Sequence, residues 1–184
     1  PAPCEHSCVL GINQDPVSIE NIEKQVIEKA FIKGYVNPNT IINKLDKKVA
    51  VIGSGPAGLA CADELNKRGY KITVYEKDEE VGGLLRFGIP DFKLDKKIID
   101  RRVKLLDKEG IIFKTNKCLG KDLSLERLES IYDAVVLCIG STIPRDILIE
   151  GRELKGIHFA MEFLSMQNRI CLLYTSDAAD DPTC

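Results

Sequence analysis

Three glycines and a glutamate form the pattern with the clearest chemistry in this sequence of 184 residues. Gly53, Gly55 and Gly58 follow the apolar run at 49–52, and Glu76 stands eighteen residues after the last glycine. In a strand–turn–helix unit such glycines permit a tight turn, leave room for a pyrophosphate and let the helix approach the strand. An acid about 20 residues further on accepts hydrogen bonds from ribose hydroxyls and repels a 2′-phosphate. The pattern therefore predicts a site for an adenine dinucleotide without a 2′-phosphate, either FAD or NAD.

The residues around the triplet support this prediction, because a glycine triplet alone recurs by chance in many unrelated chains. Residues 49–52 are small or β-branched, as a strand buried on both faces requires, and Pro56 suits the first turn of a helix. Gly69 is typical of a left-handed cap, and residues 71–75 are typical of a second strand. The alternative is a strand–turn–helix whose glycines serve packing only. Strand, triplet, helix and acid together favour the dinucleotide site.

The helix predicted after the triplet has one apolar side and one polar side. Residues at spacings of three and four form a stripe that we expect to face the sheet: Gly58, Cys61, Ala62 and Leu65. The polar residues between them are expected to face water: Asp63, Glu64, Asn66 and Lys67. The N-terminus of this helix then presents unpaired N–H groups and a partial positive charge to the phosphates.

Hydrophobic periodicity and turn residues define the other elements. A helix follows Ser18 as its N-cap and is closed by Gly34, and residues 37–47 form a polar linker. Further along, the pattern predicts a helix over 95–109, a strand over 111–115, a helix over 125–131, a buried strand over 133–139 and a helix over 157–168. The long glycine-rich connection at 77–90 is typical of a functional loop. Because ligands bind beyond the carboxyl ends of parallel strands, residues 139–142 are expected to touch the cofactor.

The composition is that of an ordinary globular domain, with 44% hydrophobic residues, 29% charged residues and a net charge of −2. It indicates neither nucleic acid nor a membrane as partner, since no apolar run approaches the roughly 18 residues of a spanning helix. The cysteines form no disulfide framework, and Cys61 and Cys138 are expected to be buried small hydrophobes, which favours a reducing, cytoplasmic location. Pro1 in the place of a methionine leads us to expect a fragment of a longer protein. Residues 171–184 lose periodicity and are expected to form a non-native or disordered tail.

Several segments together carry a closer likeness to a known family. They are residues 1–5, 7–8, 53–58, 76–77, 82–90, 92–94 and 137–141. As a set they resemble the small (β) subunit of NADPH-dependent glutamate synthase, over about residues 1–169. The likeness extends more loosely to other FAD and iron–sulfur electron-input modules, those of pyrimidine-reducing dehydrogenases and electron-bifurcating ferredoxin–NADP oxidoreductases.

The resemblance implies an α/β fold with a Rossmann-like FAD-binding domain behind the remnant of a helical iron–sulfur domain. Residues 1–45 would form that remnant, and residues 46–170 the first part of the FAD domain. Family members carry an NADPH domain inserted within the FAD domain. This sequence has no second glycine fingerprint, so we expect both the NADPH domain and the second half of the FAD domain to be absent.

The resemblance also implies which residues contact FAD. The pyrophosphate and ribose would meet Gly53, Ser54, Gly55, Pro56, Ala57, Gly58, Glu76 and Lys77. Further contacts would come from Gly82, Gly83, Leu84, Lys93 and Leu119. Ile139 and Gly140 are added by their position beyond the carboxyl end of a strand. At Gly83 a backbone without a Cβ can lie against the cofactor. Lys93 is equally compatible with a solvated surface charge.

Two cysteines near the N-terminus are candidate ligands of a 4Fe-4S cluster. Cys4 and Cys8 are too few by themselves for a cluster that takes four ligands, and two ordinary thiols are the alternative. The resemblance favours ligation, because family members have further ligand cysteines upstream. Glu23 falls where a relative supplies a non-cysteine ligand, although a glutamate on a helix surface is the plainer interpretation.

The function implied by the resemblance is electron input. The parent would take a hydride from NADPH onto FAD and pass electrons through iron–sulfur clusters to the glutamate synthase large subunit. The flavin does the chemistry, so no residue here is expected to be catalytic. Two alternatives remain: the electron-input subunit of a bifurcating or pyrimidine-reducing enzyme, and a truncated nucleotide-binding domain without turnover.

Overall fold

The computed structural model describes the backbone of residues 3–174 and the side chains of residues 3–172. The chain divides into two compact units, one ending at Pro38 and the other beginning at Asn39. The first unit contains α1 (Pro3–His6), a 3-10 turn (Val9–Ile12) and α2 (Ile19–Ile32). Ser18 lies at the N-cap of α2, and Gly34 closes it with a positive φ, as predicted. None of the described residues in these helical segments is buried.

The second unit is a parallel four-stranded sheet with helices, which confirms the expected Rossmann-like α/β fold. Its elements are β1 (Lys48–Ile52), α3 (Pro56–Lys67), β2 (Lys71–Tyr75), α4 (Leu84–Phe87), α5 (Lys96–Lys108), β3 (Ile112–Lys114), α6 (Leu125–Ile131), β4 (Ala134–Leu137) and α7 (Ala160–Tyr174). The strand order is β3-β2-β1-β4, so β1 lies between β2 and β4. All the pairings are parallel, which brings the carboxyl ends of the strands to one edge.

The core follows from the alternation of side chains along β1. Val49 and Val51 point to one face, where they pack with Leu59 of α3 and Leu106 of α5. Ala50 and Ile52 point to the other face, where they pack with residues that include Leu128 of α6. Both faces of the central strand are therefore covered, which explains its uninterrupted apolar run.

Two residues of α3 predicted to face water are buried instead. Asn66 is 0% exposed, because its Nδ2 donates to the Glu109 carbonyl at 3.2 Å and its Oδ1 accepts from Lys44 Nζ at 3.2 Å. Asp63 is also buried, and its Oδ2 accepts from Lys67 Nζ at 2.9 Å and from Arg102 Nη2 at 2.7 Å. Arg102 of α5 and its C-cap Glu109 supply two of these partners, whereas Lys67 belongs to α3 and Lys44 to the linker. These bonds offset the burial of the polar groups, although Asp63 Oδ1 has no partner among the described residues.

The strand predicted over 133–139 is shorter and less buried than expected. β4 pairs with β1 on one side, and among the described residues no further strand covers its other side. Leu137 is consequently 56% exposed. The expectation of a buried strand was wrong because an apolar run does not tell whether a second neighbour is present.

Within the polar linker predicted over 37–47, residues 39 and 45 form hydrogen bonds with other residues of the second unit. The Asn39 N–H donates to Glu109 Oε1 at 2.9 Å, and the Leu45 N–H donates to the Gly69 carbonyl at 2.8 Å. These residues belong to the second compact unit, which begins at Asn39, while the domain boundary expected at residue 45 stays a prediction.

The last helix extends beyond its expected end. α7 runs to Tyr174, so residues 171–174 of the expected tail are helical, and Cys171 is buried. The rest of that tail lies outside the described residues. No helix in the described part of the chain has the length and apolar character of a membrane span.

Candidate dinucleotide-binding site

The carboxyl ends of β1, β2 and β4 bring several of the predicted site residues together. Gly53 follows β1, and its N–H donates to the carbonyl of Tyr75, the last residue of β2, at 2.8 Å. Cys138 follows β4, and its N–H donates to the Ile52 carbonyl at 2.8 Å. Because these bonds continue the ladders beyond the strands, the turn at Gly53 lies between Glu76 on one side and the segment after β4 on the other.

The three glycines of the triplet meet different surroundings. Gly53 has a φ of +105°, and a Cβ added there would collide with the Cys138 carbonyl. A Cβ on Gly58 would collide with the Gly53 carbonyl, so this glycine lets α3 approach β1, as predicted. A Cβ on Gly55, by contrast, would meet no protein atom within 4 Å. The open space at Gly55 is the room that a pyrophosphate needs.

Helix α3 begins at this open space. Gly55 is its N-cap and Pro56 occupies the first turn, where the missing N–H costs nothing. The first N–H groups of an α-helix have no partner within the helix, and they carry a partial positive charge. Pro56 and Ala57 are exposed, so this end of α3 can receive the negative charge of a phosphate.

The second glycine pair packs against the first loop. Gly83 has a φ of +52°, and a Cβ added there would lie 2.8 Å from the Gly55 Cα. Gly82 has a φ of +131°, in the region that favours glycine. The expected reason for Gly83 was approach to the cofactor. In the structure a side chain at position 83 is excluded by the Gly55 backbone. The loop at 82–83 therefore packs directly against the loop at 53–58.

Ser54 connects the two loops and Glu76 by buried hydrogen bonds. It is 0% exposed, and both its N–H, at 2.9 Å, and its hydroxyl, at 2.5 Å, donate to Glu76 Oε2. The same hydroxyl accepts from the Gly82 N–H at 3.0 Å. The side chain and N–H of Ser54 are therefore engaged within the protein, and Ser54 positions Glu76 and Gly82 instead of offering these groups to a ligand.

The carboxylate of Glu76 is held in place with part of its bonding capacity free. The residue is 5% exposed, and its Oε1 accepts from the Asp78 N–H at 3.0 Å. With the two bonds from Ser54, three of about four acceptor positions of a carboxylate are filled by described residues. One position remains for a ligand hydroxyl, and the fixed negative charge disfavours a phosphate nearby.

An ion-pair cluster that the sequence did not predict supports the Glu76 loop. Arg169 of α7 donates from Nη2 to Asp78 Oδ1 and from Nε to Glu79 Oε1, both at 2.9 Å. A hydrogen bond from its own backbone N–H lowers the pKa of Glu79, and Arg169 lowers it further against the opposing effect of burial. Lys77, a predicted contact, is exposed and donates to Asp78 Oδ2 at 2.7 Å.

A buried arginine and asparagine fix the helix behind the second glycine pair. Arg86 is 3% exposed, donates from Nε to the Val81 carbonyl at 2.7 Å and pairs with Asp100 at 2.5 Å. Asn168 donates to the Phe87 carbonyl at 3.0 Å. No local signal marked either residue, because their partners come from other elements of the fold.

The remaining predicted contacts lie in different settings. Ile139 and Gly140 are exposed beyond β4, and Leu84 is exposed at the start of α4. Lys93 is exposed as well, after Pro90. Leu119 packs against the core cluster of Ala50, Ile52, Tyr75 and Leu128, which accounts for its apolar character without a ligand.

The candidate iron–sulfur ligands lie in the first unit. Cys4 is exposed in α1, Cys8 precedes the 3-10 turn, and Glu23 is exposed on α2. Backbone hydrogen bonds, chiefly that with Val17, lower the pKa of the Cys8 thiol. Among the described residues no group of three or more His, Cys, Asp or Glu side chains is placed to hold a metal. The described ligand set therefore does not fit a complete cluster.

Comparison with known proteins places these features in a wider group. A family model described as an NAD(P)-binding Rossmann-like domain matches residues 51–96. The NADPH glutamate synthase small chain of Bacillus subtilis is 50% identical over 169 residues, 92% of this chain and 34% of that protein. The NADH glutamate synthase of Schizosaccharomyces pombe is 50% identical over 174 residues, 94% of this chain and 8% of that protein.

A solved structure agrees with the fold. Mycobacterium tuberculosis FprA in complex with NADPH has a TM-score of 0.60 and 27% identity, covering 66% of this chain and 29% of that one. The chain spans about a third of the length of the bacterial small chain that it matches. These likenesses confirm the Rossmann-like fold and the predicted resemblance.

Proposed function

We propose that this chain, a homologue of glutamate synthase small chains, binds the ADP part of FAD at the loop formed by Gly53–Gly58 and Gly82–Gly83. One observation carries the proposal: the open space at Gly55 lies at the N-terminus of α3, next to the held carboxylate of Glu76. The pyrophosphate would lie over Gly55 and Ala57, and the adenosine ribose would donate to Glu76.

The preference for FAD or NAD over NADP rests on Glu76. Its carboxylate is buried and accepts three hydrogen bonds from the protein, so it cannot swing away from the ribose position. A 2′-phosphate beside it would place like charges together in a region of low dielectric. The glutamate synthase resemblance then selects FAD.

The other residues assigned to the site either contact the cofactor or shape the site around it. We propose contacts through the backbone of Gly82, Gly83, Ile139 and Gly140, and through the exposed side chains of Lys77, Leu84 and Lys93. Pro56 and Gly58 shape the turn, Ser54 positions Glu76, and Leu119 supports the sheet beneath. No residue is proposed as a catalytic acid, base or nucleophile, since FAD supplies the hydride chemistry when it is bound.

For the longer protein we propose electron input to glutamate synthesis. Electrons from NADPH would pass through FAD and 4Fe-4S clusters to a glutamate synthase large subunit. The six described cysteines are free thiols, which agrees with a cytoplasmic location. Cys4 and Cys8, with Glu23 as a further candidate, would supply at most part of a cluster's ligand set.

Substitution of Gly55 tests the proposed site. The Cβ of Gly55→Val meets no protein atom within 4 Å and the side chain occupies the open space, so we expect the fold to persist and FAD binding to be lost. Gly11→Val is the matched control, because Gly11 also has an ordinary φ and its added Cβ would be 3.8 Å from the nearest atom. The measurement is flavin fluorescence in a titration with each refolded or purified variant, alongside circular dichroism.

The titration also separates the competing functions. FAD bound by the wild type and by Gly11→Val, but not by Gly55→Val, supports the proposal. Equal FAD binding by Gly55→Val would show that the flavin lies elsewhere. A chain that binds FAD without oxidising NADPH acts as a nucleotide-binding domain alone. Copurification of the longer protein with a large subunit that makes glutamate distinguishes glutamate synthase from the bifurcating and pyrimidine-reducing enzymes.

A further inference from the structure

Two cysteines meet where α3 crosses the end of β4. Cys138 is the first residue after β4, and a Cβ built on Gly58 would lie 3.5 Å from the Cys138 Cβ. Cys61 follows Gly58 by one turn of α3, on the same side of the helix. Both cysteines pack against the core cluster around Val51, and the neighbouring Cys61 thiol helps to raise the pKa of Cys138. The expected description of two separate buried hydrophobes is therefore incomplete.

The surroundings of this pair differ from those of the other described cysteines. Cys118 Sγ faces the Leu119 carbonyl at 3.6 Å, and Cys171 Sγ faces Gln167 Nε2 at 3.7 Å. Cys61 and Cys138 are both half-buried, so a small oxidant can reach them. A disulfide requires close approach of the two Cβ atoms, which the packing of α3 at Gly58 against the Cys138 side chain favours.

We propose that Cys61 and Cys138 form a peroxide-responsive dithiol pair that closes to an intramolecular disulfide. Cys61 sulfur attacks one oxygen of hydrogen peroxide, the O–O bond breaks, and a sulfenic acid forms as the departing hydroxide becomes water. Cys138 sulfur then attacks the Cys61 sulfur, the S–O bond breaks, and the Cys138 thiol proton leaves with the hydroxide as a second water. Two electrons pass from the pair to one peroxide.

The environment of Cys138 disfavours one order of attack. Burial raises the pKa of the Cys138 thiol, and the neighbouring Cys61 raises it further, so its thiolate is scarce at neutral pH. Since the thiolate is the nucleophile, the first attack by Cys138 is disfavoured, and either order of attack ends in the same disulfide. The proposal concerns these thiols alone and does not depend on the cofactor assignment.

Peptide mapping tests the pair directly. Trypsin releases Cys61 in the peptide 49–67 and Cys138 in the peptide 128–145, and each peptide contains one cysteine. The full chain is treated as a dilute monomer with hydrogen peroxide, blocked with iodoacetamide and digested without reductant. We expect a linked peptide whose mass is the sum of the two less two hydrogen atoms, as the most abundant disulfide, and its loss after treatment with dithiothreitol.

Two controls make the outcome decisive. In urea the proximity is lost, so the linked peptide should fall to the abundance of other cysteine pairs. In Cys61→Ser, folded as judged by circular dichroism, Cys138 should remain available for alkylation after peroxide. The proposal is overturned if native chain shows both cysteines alkylated, if Cys61 ends as sulfinic acid without a link, or if random pairs form equally often.

Discussion

Removal of the Ser54 hydroxyl tests the network behind the dinucleotide loop. In Ser54→Ala the buried carboxylate of Glu76 loses one of its three hydrogen bonds, and the Gly82 N–H loses its acceptor. A hydrogen bond to a charged group contributes about 1.5–3 kcal/mol, and an orphaned buried donor costs about 1–3 kcal/mol. Because the Ser54 N–H and Asp78 N–H still hold Glu76, we expect a loss near the lower end of the sum, about 3 kcal/mol in the free energy of unfolding.

Urea unfolding followed by circular dichroism measures this loss from the shift of the midpoint at constant slope. Ser130→Ala is the matched control. Its hydroxyl donates to the Arg127 carbonyl at 2.8 Å on the exposed side of α6, so its removal should change stability by no more than about 0.5 kcal/mol. If Ser54→Ala cost as little as Ser130→Ala, the network would not be holding the loop, and the argument from its distances would fail.

Three further predictions concern other parts of the second unit. Gly58→Ala should lower Tm by several degrees relative to Gly55→Ala in a thermal scan, since only the Cβ at position 58 collides with backbone; equal Tm values would contradict this. Asn66→Ala should destabilise the chain to urea by about 2 kcal/mol, because it removes both bonds of a fully buried amide; a cost like that of an exposed residue would refute it. Glu79 has a lowered folded pKa, so its contribution is present above its unfolded value near 4.5 and is lost as pH falls through the folded value. Glu79→Gln should therefore weaken the loss of stability in acid, measured by urea midpoints from neutral pH downward, and an unchanged pH profile would oppose that assignment.

The local elements could be predicted because their signals are local. β2 and α6 have the bounds expected from the sequence, since β-branched runs, glycine caps and a serine N-cap act within a few residues. The Ser124 hydroxyl accepts from the Arg127 N–H at 3.2 Å, as a cap should. The glycine triplet could be interpreted for the same reason, because the turn, the helix start and the acid are close in sequence.

The features that could not be predicted depend on residues distant in sequence. Asp63 and Asn66 have the polarity of a solvated helix side, and their burial follows from Arg102 and Lys44, which other elements supply. Arg169 reaches Asp78 from ninety-one residues away. The periodicity within one segment does not indicate such pairs. The position of the site could therefore be predicted from the sequence, but the ion pairs and hydrogen bonds that stabilise it could not.

The open side of β4 has a consequence for handling this polypeptide in solution. Among the described residues β4 is an edge strand that ends at the exposed Leu137, and an edge of this kind presents unpaired backbone groups that other chains can use as a template for aggregation. Concentrated samples should therefore precipitate through intermolecular β pairing before the unit unfolds. The substitution Leu137→Lys should reduce this aggregation, because a charge on an edge strand opposes its pairing with another chain.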